Sequence, residues 1–142
     1  MNKRNICFIG YGKMIQGIIQ SLDLTKFSIS ITTKSNKQNN FDHHTISYHQ
    51  FDLQNDSFPT QMIEKADVLV FSLPPLDIKS FSQFFNQVSL DKKIIFTSSI
   101  SIYQKNQGEI DESGLQNSHD QSVLVQCEDF LTKRFKNLVI LR

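Results

Sequence analysis

Gly10 and Gly12 are the residues whose spacing most constrains the chemistry open to this chain. They lie in Ile6-Cys7-Phe8-Ile9-Gly10-Tyr11-Gly12-Lys13-Met14-Ile15-Gln16-Gly17-Ile18-Ile19, where an apolar run ends in Gly-x-Gly and a helical pattern follows at once. The order is strand, tight turn, helix. The first glycine permits a turn that a side chain would block, and the second lets the backbone come close to a diphosphate. The helix start adds unpaired amide N–H groups and the positive end of its dipole. These features imply a dinucleotide-binding turn made of Gly10, Tyr11, Gly12, Lys13 and Met14. The usual fingerprint has a third glycine at position 15. Ile15 stands there, and Gly17 is the candidate for the close helix–strand contact. A ligand-free strand-turn-helix is the competing reading. The buried type of strand before the turn is the context the fingerprint requires.

Other residues with chemical potential follow in chain order. Thr33, Lys34 and Ser35 come where the second strand should end. An acidic residue there would accept a hydrogen bond from an NAD ribose, but none is present. Lys34, with Lys37 nearby, suits a 2′-phosphate, so NADP is expected in preference to NAD; a solvated basic loop is the alternative. Asp52 and Leu53 follow the third strand, at a corner that meets either an adenine or only solvent. His43, His44 and His49 cluster without a ligand spacing, and no metal site is expected. Asp111-Glu112 reads as a solvated turn. Cys7 and Cys127 have no neighbouring base in sequence and read as reduced core cysteines of a cytoplasmic protein.

These residues need elements to position them. A chain of 142 residues fits one domain, expected to be a dinucleotide-binding unit over residues 1–142. The formal net charge of +1 gives no field for nucleic acid or an anionic membrane, and no apolar run has spanning length. No secretory leader is read before the first strand. With 12 phenylalanines and no tryptophan, Phe must fill much of the core. Strands are expected at residues 5–9, 27–33, 45–51, 67–73, 93–97 and 137–141, and helices at 13–22, 59–65, 77–88 and about 120–134. Residues 34–40 and 98–117 read as polar connections. Alternation of this kind predicts an α/β fold with a doubly wound parallel sheet, the Rossmann NAD(P)-binding fold, in strand order 3-2-1-4-5-6. The ligand then belongs outside the carboxyl ends of the strands, near residues 10–13, 72–75 and 98–103.

At this point a family resemblance becomes specific. Ser72-Leu73-Pro74-Pro75, then Phe96-Thr97-Ser98-Ser99-Ile100-Ser101-Ile102-Tyr103, then Gly108-Glu109-Ile110-Asp111-Glu112, succeed one another after the glycine turn. In that order they resemble the NAD-dependent epimerase/dehydratase family, the extended or atypical short-chain dehydrogenases. The resemblance implies that Ser72, Leu73, Pro74 and Pro75 line the nicotinamide side and that Ser99 contacts substrate. On the residues alone, Ser99 could equally satisfy loop backbone. The family's catalytic Tyr-x-x-x-Lys has no counterpart: the corresponding stretch is Gln121-Ser122-Val123-Leu124-Val125-Gln126-Cys127-Glu128. The sequence also stops as the sixth strand ends, where the family continues into a substrate region. The chain is therefore read as a shortened relative. It is expected to be an NAD(P)-binding oxidoreductase acting on a carbonyl or sugar nucleotide, or a non-catalytic nucleotide-sensing or protein-pairing module. A homodimer through helices 77–88 and 120–134 is the pairing the resemblance implies.

Overall fold

The computed structural model describes residues 2–35, 43–75, 77–99 and 122–142. Among these are six strands and four helices, in the order β1 (Arg4–Ile9), α1 (Lys13–Ser21), β2 (Phe27–Thr33), β3 (Ile46–Gln50), α2 (Thr60–Lys65), β4 (Val68–Phe71), α3 (Ile78–Asn86), β5 (Lys93–Thr97), α4 (Val123–Arg134) and β6 (Leu138–Leu141). The strands form one sheet in the order β3-β2-β1-β4-β5-β6. Every pairing is parallel. This is the expected Rossmann arrangement, and the order reverses between β1 and β4, where a crevice opens at the strands' carboxyl ends.

Each face of the sheet has its own core. Ile15 and Ile19 of α1 pack on Phe8, Ile29, Ile31 and Val70. On the other face Cys7, Ile9, Leu69, Phe71, Ile94 and Phe96 meet α3 and α4. Phenylalanine does fill this second core. Phe71 has the rings of Phe81, Phe84 and Phe85 within 5.1–5.5 Å, centroid to centroid. Both cysteines are free and buried, and burial pushes each thiol up to about 12.

The alternation read in β2 has a structural result. Ile29 and Ile31 enter the α1-side core, while Ser28 and Ser30 point the other way and line a groove with Ser47 and His49 of β3. Ser47 links the row, with its hydroxyl 3.2 Å from Ser30 Oγ and 3.2 Å from His49 Nε2.

Helix ends agree with local chemistry where a cap is present. Asp77 Oδ1 accepts from Ser80 N at 2.6 Å and starts α3. Ser122 Oγ accepts from Val125 N at 3.3 Å and starts α4. The start of α1 has no such side chain, because its N-cap is Gly12.

Candidate functional site

The crevice is built around the turn between β1 and α1. Gly10 has φ 108°, in the region that favours glycine. A Cβ there would lie 2.8 Å from Ser72 Oγ and 3.1 Å from Leu73 Cδ2. The Gly10 amide donates to Thr32 Oγ1 at 2.9 Å, which fastens the turn to β2. Gly12 is different: its backbone is extended (φ −83°, ψ 175°), and a Cβ there would meet nothing within 4 Å. The open space over Gly12 and the uncapped start of α1 are what a phosphate needs in order to approach.

Gly17 does not take the part expected of it. It is exposed, and a Cβ on it would meet nothing within 4 Å. Ile15, in the place of the fingerprint's third glycine, is buried instead and serves as core. The helix is thus spaced from the sheet by a side chain rather than drawn close by a glycine.

Two cavities flank this turn. The first, about 330 Å³, is lined by Gly10, Tyr11, Thr33, Lys34, Ser35, Asp52, Leu53, Leu73 and Pro74, with Thr32, Phe51 and Gln54. Tyr11 is steadied there by an edge-to-face contact with Tyr48, 5.6 Å between centroids. Lys34 Nζ lies 3.2 Å from Asp52 Oδ2. The Gln54 amide, the Asn55 side chain and Lys34 together hold the Asp52 carboxyl below the usual carboxylate range. The Lys34 side chain is 74% exposed, so the pair is of the weak, solvent-screened kind, and Lys34 can turn to another anion.

The second cavity, about 380 Å³, shares Leu73 and Pro74 with the first and adds Ser72, Pro75, Thr97, Ser98, Ser99 and Leu124. Beneath it lies a polar cluster absent from the sequence reading. Glu128 of α4 is buried, accepts from Arg142 Nη2 at 2.8 Å and from Arg142 Nε at 3.2 Å, and also accepts from Ser98 Oγ. Glu128 lies on the helix face that carries Cys127 and Leu131, and an acid on an apolar face was the available signal.

The structure therefore gathers Gly10, Tyr11, Thr33, Lys34, Ser35, Asp52, Leu53, Leu73 and Pro74 around one cavity, and Ser72, Pro75 and Ser99 around its neighbour. Gly12, Lys13 and Met14 line neither cavity; they form the turn and the first helical residues. Tyr103 and Gly108-Glu109-Ile110-Asp111-Glu112, with the stretch 100–121, fall outside the described residues. Among the described residues no three His, Cys, Asp or Glu side chains gather as a metal-ligand set. No helix among them is long and apolar enough to cross a membrane.

Known proteins resemble this arrangement. The sequence model of the family described as NADP oxidoreductase, coenzyme F420-dependent, matches residues 5–99. No curated protein matches the chain. Among solved structures, the UDP-N-acetylglucosamine 4-epimerase of Methanobrevibacter ruminantium M1, in complex with UDP-N-acetylmuramic acid, superposes with TM-score 0.71 at 17% identity, over 100% of this chain and 55% of that one. A Rossmann-fold NAD(P)-binding family protein of Shigella flexneri gives 0.68 at 16%, over 99% of this chain and 67% of that one. Vestitone reductase of alfalfa gives 0.65 at 17%, over 97% and 56%. Identities this low speak for the fold, which is that of the epimerase/dehydratase kind the sequence resembles. The chain spans 55% of the first of these structures.

Proposed function

This chain belongs to the family of coenzyme F420-dependent NADP oxidoreductases, and from that premise we propose that its crevice binds a nicotinamide dinucleotide, NADP in preference to NAD. The observation that carries the reading is the pair of cavities meeting at Leu73 and Pro74 beside the glycine turn. Gly10, Gly12, Lys13 and Met14 would hold the pyrophosphate, where the open space over Gly12 fits it. Tyr11, Thr33, Ser35 and Leu53 would enclose the adenosine end. Lys34 would exchange its contact with Asp52 for a 2′-phosphate. Ser72, Leu73, Pro74 and Pro75 would line the nicotinamide end, with Ser99 as the substrate contact.

A bound NADP supplies a hydride donor or acceptor, which suits an oxidoreductase acting on a carbonyl or sugar nucleotide. The protein's share is to orient the dinucleotide and keep water from the ring through Leu73, Pro74 and Leu124. The proposal includes a single cytoplasmic domain working as a homodimer through α3 and α4, whose Ile78 and Phe130 keep part of their surface in solvent. A second reading, a non-catalytic nucleotide sensor, draws on the missing Tyr-x-x-x-Lys in residues 121–128.

Thermal melting with NADPH and with NADH tests the proposal, since a ligand that binds only the folded chain raises the melting temperature. A larger shift with NADPH supports it, and no shift with either refutes it. Shifts without turnover on any carbonyl or sugar nucleotide favour the sensor.

A further inference from the structure

The wall of the second cavity is mostly of one hydrogen-bond polarity. Of its four lining hydroxyls, three donate their proton within the protein. Ser72 Oγ donates to Ile9 O at 3.2 Å, and Thr97 Oγ1 donates to Phe71 O at 3.3 Å. Ser98 Oγ donates to Glu128 Oε1. The directions are fixed by the partners. A backbone carbonyl has no hydrogen to give, and a carboxylate clasped by Arg142 has none either. A hydroxyl carries a single proton, so these three oxygens offer a ligand lone pairs only. The amides of Ser72 and Ser98 are also engaged, on Ile9 O at 2.9 Å and on Leu141 O at 2.6 Å. Pro74 and Pro75, on the same wall, have no N–H at all.

We infer that this cavity is built to receive a hydrogen-bond donor, and that Ser98, held as an acceptor by Glu128 and Arg142, takes the amino group of a nicotinamide carboxamide. The inference rests on the dinucleotide reading above, which assigns the nicotinamide end to this side of the turn. An amide NH₂ satisfies an acceptor-lined wall. An acetyl group in its place sets a methyl where the NH₂ stood, and the Ser98 lone pair is then left without a donor. Glu128 and Arg142 are positioning residues here, acting only through the Ser98 hydroxyl.

Calorimetric titration of the full chain with three probes tests this: NADP⁺, its 3-acetylpyridine analogue, and 2′-phospho-ADP-ribose, which has no ring. NADP⁺ should bind about tenfold tighter than the acetylpyridine analogue, the value of one well-made hydrogen bond. In Ser98→Ala that ratio should fall to near one while 2′-phospho-ADP-ribose affinity is unchanged. In Glu128→Gln the ratio should also fall toward one. Arg142 can only donate, so it draws the glutamine oxygen to itself and turns the NH₂ toward Ser98, whose own proton is then free for the carbonyl oxygen that carboxamide and ketone both carry. Equal wild-type affinity for the two dinucleotides, with all three probes binding, overturns the inference and leaves the dinucleotide reading intact. Failure of all three probes to bind overturns both.

Discussion

Replacing Gly10 and Gly12 by alanine, one at a time, separates folding from binding at the same turn. At Gly10 the φ of 108° costs a non-glycine residue about 1–2 kcal/mol. The new methyl would also stand 2.8 Å from Ser72 Oγ, whose hydrogen bond to Ile9 O must give way at roughly another 1 kcal/mol. Urea unfolding should therefore show Gly10→Ala less stable by about 2–3 kcal/mol. At Gly12 the backbone is one that alanine adopts freely, and its methyl meets nothing within 4 Å. The poorer N-cap and the stiffer unfolded chain roughly cancel, so stability should stay within about 1 kcal/mol of wild type. That methyl nevertheless occupies the approach assigned to the pyrophosphate. NADPH affinity should fall at least about tenfold. A Gly10→Ala protein as stable as wild type would refute the strain argument. A Gly12→Ala protein that binds NADPH undiminished would refute the position given to the pyrophosphate.

Lys34→Ala should narrow the gap between NADPH and NADH affinities, and Asp52→Asn, which removes the competing charge beside Lys34, should widen it; paired titrations measure both. Phe71→Ala, at the centre of the ring cluster, should cost about 3–5 kcal/mol in urea unfolding. Cys7 and Cys127 should resist iodoacetamide at pH 8 in the folded chain and react once urea unfolds it, because burial keeps both thiols protonated. The same shift fixes a pH dependence: an unfolded thiol ionises near pH 8.5 and the folded ones near 12, so the urea midpoint should decline as pH rises through that interval, with the full contribution present below it.

The fold was readable because its determinants are local. Parallel strands covered on both faces appear as apolar runs, and Val68–Phe71 and Ile94–Phe96 are such runs. Right-handed crossovers then supply the order. Some boundaries moved: β2 and β5 stand where the sequence puts them, whereas β4, expected from Asp67 to Leu73, spans Val68–Phe71. Its expected ends take part in the fold differently, Asp67 Oδ2 accepting from Asn5 N and Ser72 N donating to Ile9 O. Most residues around the two cavities were readable too, since they follow strand ends that topology brings together. The Ser98–Glu128–Arg142 cluster was not, because it joins the residue after β5, α4 and the residue after β6 across separations of 30 and 14 residues. The Lys34–Asp52 pair was hidden for the same reason: each residue was noted alone, and only the β2–β3 pairing brings them within 3.2 Å.

The proposed dinucleotide site lies across the carboxyl ends of β1 and β4. Amide NMR of the ¹⁵N-labelled chain titrated with NADPH tests it residue by residue. Saturable shifts are expected at Gly10, Gly12, Lys13 and Met14, together with Lys34 and Ser98, and none at Glu64 or Lys92 beside a separate cavity away from the crevice. Shifts confined to that separate cavity, or no shifts at saturating NADPH, would contradict it.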